Sequence, residues 1–438
     1  MLVISAPRVV TAGALLGPAA VAVSDGLVVG VAEGATYQGR PADVRLASGL
    51  LAPGLVDLQV NGCFGVDLVG AEPGEWATVC RRLPETGVTA FLPTFITAPV
   101  PELVRALRRT AALLPALPDG PGGPDRPDGP GGLAGPGGLA DLGGPDGMGG
   151  PVGMGGPGGT GGPGGLGGLS ARVLGVHVEG PFLAPRWRGA HNSDWLCDPE
   201  PAAVAALLAA APGLLRVHTL APELPGALDA VRRFAAAGVL VSVGHSNATA
   251  AEVEAAADAG ARLVTHLFNA QRPLHHREPG VVGQGLVDPR LTCGLIADLH
   301  HVAGPVCRLA FQAAPGRIVL VTDAVAAAGM PPGRYVLGGQ EVVVDPGGLP
   351  LRADGTISGS GLRLDDAVAN VVAEGVDLLT AVDAATRLPA DVIGRPDLGR
   401  IAAGAVADLV WLSDDLRARA TWIGGELVYG DVSGPVPA

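Results

Sequence analysis

The chain has 438 residues, 48% of them hydrophobic, and a net charge of −13. That is enough apolar material for one large core with a small satellite domain, and the acidic balance argues against nucleic acid as a partner. All 29 cationic residues counted as Lys plus Arg are arginine, which excludes Schiff-base chemistry, the phosphate-binding lysine of a P-loop and a carbamylated lysine between two metals.

The cysteines, Cys63, Cys80, Cys197, Cys293 and Cys307, are scattered and never form a CxxC pair. Reduced thiols are expected, with no disulfide framework and no zinc-ribbon site. No apolar run is long enough to span a bilayer, so a soluble, cytoplasmic enzyme without membrane contact is expected.

In chain order, residues 1–50 read as short strands and turns (LVISAPRVV, AVAVSDGLVVGVAEG), and a similar pattern returns over 397–438. Together with the alternating stretch 335–350, these segments predict one small β-sandwich domain built from both termini. Residues 51–334 and 351–396 alternate apolar runs with Ala-rich helical segments such as PEPAAVAALLAAAPG and ATAAEVEAAADAG. That alternation predicts an α/β fold, a (β/α)8 TIM-like barrel.

The tract 117–169 is the exception, being almost entirely Gly and Pro. Its glycine period is interrupted at Arg126 and Asp141, and proline is never in the third place of a triplet. A collagen helix is therefore a poor candidate, and a disordered insertion within the barrel, carrying no catalysis, is the expectation.

The informative residues are polar groups that close apolar runs. GLVDLQVNG ends on Gln59 and Asn61, VLGVHVEGP carries His177 and Glu179, and GVLVSVGHS and ARLVTHLFN end on His245 and His266. RIVLVTDAV ends on Asp323. Polar residues at the carboxyl ends of parallel strands build the active site of a barrel. Glu179 with His245 and His266 makes a three-ligand open set, the pattern of catalytic zinc, and one divalent metal, Zn2+, is expected.

His177 shares a face with Glu179 from deeper in the strand, as a supporting partner. Asp323 can take a proton from water and return it to a leaving group; an N-cap is its alternative reading. Gln59 and Asn61 either satisfy a turn or hold substrate or water. His191, His300, His301, Asn269, Ala270 and Arg277 would supply hydrogen bonds and one fixed positive charge around the metal.

PGLVDLQVNGCFGVD, HVEGPFL, RGAHN, GHSNA, THLFNA, REPGVVG, IADLHHV, VTDA and GSGLRLDDAV occur in this order. The ordered set resembles the N-acetylglucosamine-6-phosphate deacetylases of the amidohydrolase superfamily, over nearly the whole chain except the Gly/Pro tract. The resemblance implies Glu179, His245 and His266 as metal ligands and Asp323 as general base and acid. It puts His191 at the acetyl carbonyl, His301 near the sugar, and Asn269, the Ala270 backbone and Arg277 around the phosphate. It also implies a homodimer in which Arg277 reaches the neighbouring site.

Many relatives in the superfamily carry HxH where this chain has Gln59 and Asn61, so a second metal site should be weak or empty. The expected reaction is hydrolysis of the acetamide of a small sugar phosphate to glucosamine 6-phosphate and acetate. Its alternatives are the galactosamine 6-phosphate epimer, another amidohydrolase activity, or a catalytically silent binding protein. The His275-His276 pair has no assigned place in the family pattern.

Overall fold

The computed structural model describes residues 1–114, 170–345 and 348–432. The Gly/Pro tract 117–169, expected to be a disordered insertion, lies outside them. Eight parallel strands form the centre: β1 (Leu55–Val60), β2 (Val88–Ile96), β3 (Val176–Glu179) and β4 (Leu215–Leu220). They are followed by β5 (Leu240–Val243), β6 (Ala261–Val264), β7 (Thr292–Leu295) and β8 (Ile318–Leu320). Each pairs in parallel with the next in sequence.

The seam between β8 and β1 is closed just beyond the strands. Asp323 donates its N–H to Gln59 O at 2.9 Å, and Asn61 donates to Ala324 O at 2.8 Å. Asp57 and Thr322 meet across the same seam, with 2.6 Å between Oδ2 and Oγ1. β1 and β2 are buried along their whole length, as continuous apolar runs between a barrel interior and a helical coat must be.

The coat follows from helical periodicity. In the helix Val100–Leu113 the buried residues are Leu103, Ala106, Leu107 and Thr110, an i, i+3, i+4, i+7 stripe. Burying each leucine stabilises the layer by about 1.5–3 kcal/mol. In the helix Ala250–Ala259 a reciprocal capping box between Thr249 and Glu252 fixes the start, and Gly260 at φ 121° ends it.

Both chain ends form two sheets packed face to face. One has the order Leu27–Glu33, Ala19–Ser24, Leu2–Ala6, Val44–Arg45. In the other, Leu409–Leu412 pairs antiparallel with Leu50–Pro53, so the C-terminal strands are stitched to the N-terminal ones. Ile4, Val21, Leu51, Trp411 and Trp422 share the core between the sheets.

The stretch expected to join this domain at 335–350 does not. Gly333–Leu337 and Gln340–Val344 form a hairpin that pairs with Pro350–Leu351 as a separate three-stranded sheet. Its apolar face, Leu337, Val342 and Val344, packs on Ile96, Val325 and Ala327 at the carboxyl ends of β2 and β8. Period-two alternation specifies a half-buried strand but not which layer covers it. Among the described residues no helix is long and apolar enough to cross a membrane.

Candidate active site

A cavity of about 290 Å³ opens at the carboxyl ends of the barrel strands. It is lined by Asn61, Glu179, His191, His245, His266, Asn269, Ala270, His301 and Asp323, with Ile96, Ile296, Leu337 and Ile357 as apolar walls. Three of the strand-end residues leave their strands in the left-handed region: His245 at φ 49°, His266 at φ 26° and Asp323 at φ 51°. Such a conformation costs a residue with a Cβ about 1–3 kcal/mol and persists where the surrounding fold imposes it. Here it turns three polar side chains from the end of an apolar run into one mouth.

Glu179 is the hub. Its Oε1 lies 3.0 Å from His266 Nε2 and 3.2 Å from His245 Nε2, and the two imidazole nitrogens are 3.1 Å apart. Burial alone would raise the Glu179 carboxyl, but the neighbouring His245 and His266 imidazoles hold it well below the usual carboxylate range. Burial opposes charge on His266, and the Glu179 carboxylate overrides it and raises His266. A buried carboxylate oxygen facing two imidazole nitrogens collects positive charge, and the donor set of one carboxylate and two imidazoles fits a divalent cation.

His191 also approaches, with Nε2 3.9 Å from Glu179 Oε2, and an oxygen of Glu179 with nitrogens of His191 and His245 falls within 4.8 Å. Hydrogen bonding separates the candidates. His191 Nδ1 accepts the backbone N–H of Thr97 at 3.3 Å and lies 2.7 Å from the Thr97 hydroxyl, so its proton sits on Nε2. Burial, with His245 beside it, pushes His191 down to about 3 and keeps it neutral. His245 is the reverse: Nδ1 donates to Trp187 O at 2.9 Å, leaving the Nε2 lone pair toward Glu179 and His266. The geometry therefore favours Glu179, His245 and His266 as the metal-holding set, with His191 as an N–H donor beside it.

Asp323 is buried but lines the cavity. Asn61 Nδ2 and Gln59 Nε2 both donate to its Oδ1, at 2.7 and 3.1 Å, leaving Oδ2 for other partners. Burial, then the charge of Glu179, raises its carboxyl above the ordinary aspartate value. Gln59 Nε2 also lies 3.3 Å from Glu179 Oε2, so this amide bridges the two carboxylates. Gln59 is not part of the cavity lining, which Asn61 joins, and lies instead on the barrel interior with His177 and Ser242.

The remaining residues divide. His301 faces the cavity, with Nδ1 2.6 Å from Asp298 Oδ2. Asn269 and Ala270, the latter at φ 49°, line the rim. His177 supports no ligand by a hydrogen bond; it bonds the Thr219 hydroxyl at 2.7 Å inside the barrel. His300 is exposed and outside the cavity, and its N–H bonds Asp298. Arg277 is exposed and outside this chain's own cavity, with its Nη1 donating to His276 Nε2 at 2.9 Å.

Sequence reasoning missed Thr97, whose hydroxyl also lies 3.3 Å from Glu179 O. The neighbouring Gly180, at φ 86°, is obligatory there, since a Cβ would lie 2.2 Å from the Thr97 hydroxyl. It also missed the hairpin wall, from which Gln340 and Arg352 each donate to Ala190 O at 3.1 Å, one residue before His191. The available signal was only a threonine closing an apolar run and an alternating stretch, both common in any β structure.

Residues 169–428 match the model of the amidohydrolase family. The chain is 37% identical over 405 residues to N-acetylglucosamine-6-phosphate deacetylase of Bos taurus, covering 89% of this chain and 86% of that one. It is 36% identical over 380 residues to N-acetylgalactosamine-6-phosphate deacetylase of Escherichia coli O157:H7, covering 86% and 87%. A crystal structure of N-acetyl-D-glucosamine-6-phosphate deacetylase from Mycobacterium smegmatis superposes with a TM-score of 0.82 at 32% identity, covering 98% of this chain and 100% of that one. A barrel with its polar strand ends gathered around Glu179, and these likenesses over most of its length, make this chain a member of the amidohydrolase family.

Proposed function

We propose that this protein hydrolyses the acetamide of N-acetylglucosamine 6-phosphate, releasing acetate and glucosamine 6-phosphate in the cytoplasm. The observation that carries the reading is the Glu179, His245 and His266 cluster, with the free oxygen of Asp323 and the N–H of His191 beside it in one cavity. A divalent cation, Zn2+ by its donor set, held by those three residues supplies Lewis-acid polarisation of the acetyl carbonyl and acidifies water next to it.

The rest falls to the chain itself. His191 donates its Nε2–H to the acetyl oxygen, where negative charge develops as the carbon becomes tetrahedral. Asp323 takes the proton of the attacking water at Oδ2, because Oδ1 is engaged by Asn61 and Gln59. Its raised carboxyl is suited to holding that proton and then passing it to the nitrogen as the carbon–nitrogen bond breaks. His301, Asn269 and the Ala270 backbone hold the sugar at the rim. Arg277, exposed and outside its own cavity, reads the phosphate of a neighbouring subunit in a homodimer.

The galacto epimer is the second reading, because a relative that shares 36% identity carries that name. Acetate release from both N-acetylhexosamine 6-phosphates, with and without chelator, is the test. No release from either, or release indifferent to chelator in metal-free enzyme, overturns the proposal.

A further inference from the structure

Asp298 lies just beyond β7 and carries none of the roles above. Its Oδ1 accepts the N–H groups of His300 at 2.9 Å and His301 at 2.8 Å, and its Oδ2 lies 2.6 Å from His301 Nδ1. Leu299, between them, is in the left-handed region at φ 65°, which folds the chain back over the carboxylate. From the helix Leu364–Ala373, Asn370 donates to Ala297 O at 2.8 Å and anchors the start of this turn.

The turn determines a tautomer. Burial works against charge on Asp298, but its hydrogen bonds from His301 hold its carboxyl below the usual value. A carboxylate that accepts two backbone donors at one oxygen must receive the imidazole proton at the other, so Nδ1 of His301 carries hydrogen. Among the described residues no group bonds Nε2, and His301 lines the cavity, so the atom it offers there is a lone pair.

We propose that Asp298 is a positioning residue that fixes His301 as a hydrogen-bond acceptor in the cavity, so that His301 selects a donor group, a sugar hydroxyl, on the bound substrate. This rests on the reading that substrate occupies the cavity. The Asp298→Asn variant is isosteric and inverts the device. Its amide oxygen keeps the two backbone N–H groups, and its NH2 then faces His301 Nδ1 as a donor. The imidazole proton moves to Nε2, and the cavity meets a donor where it had an acceptor.

The test has two arms. In metal-loaded enzyme, 15N NMR of the histidine rings should show His301 protonated on Nδ1, and on Nε2 in Asp298→Asn. Acetate release by Asp298→Asn should fall about 10- to 100-fold in kcat/KM, as for loss of a partner that orients an active-site imidazole, with metal content unchanged. In a His301→Ala background the same substitution should change kcat/KM by less than about twofold.

Wild-type His301 protonated on Nε2 overturns the proposal without any variant having to fold. So does an equal loss from Asp298→Asn in the His301→Ala background, which would mean that Asp298 only supports the turn. A His301→Ala enzyme with full activity overturns it as well. Absence of acetate release by the wild type would instead sink the assigned reaction and leave the NMR result standing.

Discussion

Thr97 donates its backbone N–H to His191 Nδ1, and its hydroxyl lies 2.7 Å from the same nitrogen. One residue at the end of β2 therefore decides that His191 presents an N–H, not a lone pair, toward Glu179. An imidazole held that way is a poor metal ligand and a good donor to a developing oxyanion.

His191→Ala should consequently leave the bound metal at its wild-type stoichiometry while lowering kcat about 10²- to 10³-fold, as removal of an oxyanion donor does. Elemental analysis alongside acetate release is the measurement. Loss of the metal itself would return His191 to the ligand set.

Asp323→Asn should retain metal and substrate binding and lose at least ~10²-fold in turnover, because an amide neither takes the water proton nor returns it. Near-normal turnover would assign the proton transfers to another group.

One tightly held metal per subunit is expected, since the amides of Gln59 and Asn61 are weak ligands where imidazoles would build a second site, and the chain has no lysine to bridge two metals. Two equivalents, both required for activity, would contradict this.

Arg277→Ala should raise KM for the phosphorylated sugar far more than for the unphosphorylated one. A charge-assisted bidentate contact is worth roughly 1.5–3 kcal/mol, so the preference should fall by about 10- to 150-fold. Equal losses on both substrates would mean that Arg277 supports its loop or the dimer.

Asp57 offers a test of stability against pH. Burial at the β1/β8 seam raises its carboxyl from 3.8 to about 7. Between those values the folded protein binds a proton that the unfolded chain does not. The contribution of Asp57 to stability is therefore full below about pH 4 and falls by about 1.4 kcal/mol per pH unit until pH passes about 7. Asp57→Asn mimics the protonated form, so its melting temperature relative to wild type should climb as pH rises from 4 to 7 and then level off. A difference that stays flat across that window would show that Asp57 is ionised throughout.

The barrel was legible because each strand is a short apolar run and each α-helical segment repeats its buried face every three to four residues. His245, His266 and Asp323 stood out because each ends such a run, where a polar side chain is costly unless it leaves the core. Gln59 fits the same pattern but ends up beneath the cavity, since strand-end position does not reveal depth in the barrel. The stretch 335–350 is expected in the β-sandwich but packs on the barrel mouth, because alternation reports one buried face and is silent about its partner.

The sequence by itself determined the layer architecture, the metal-type side chains, and the chemistry ruled out by the absence of lysine, because these depend on residue type and short-range period. Only the tertiary structure decided which atom of each side chain faces the cavity. Thr97 and His191 are 94 positions apart, and Gln59 and Asp323 are 264 apart. Tautomer, carboxylate basicity and donor direction are set by contacts of that range, and they exist only once the barrel has closed.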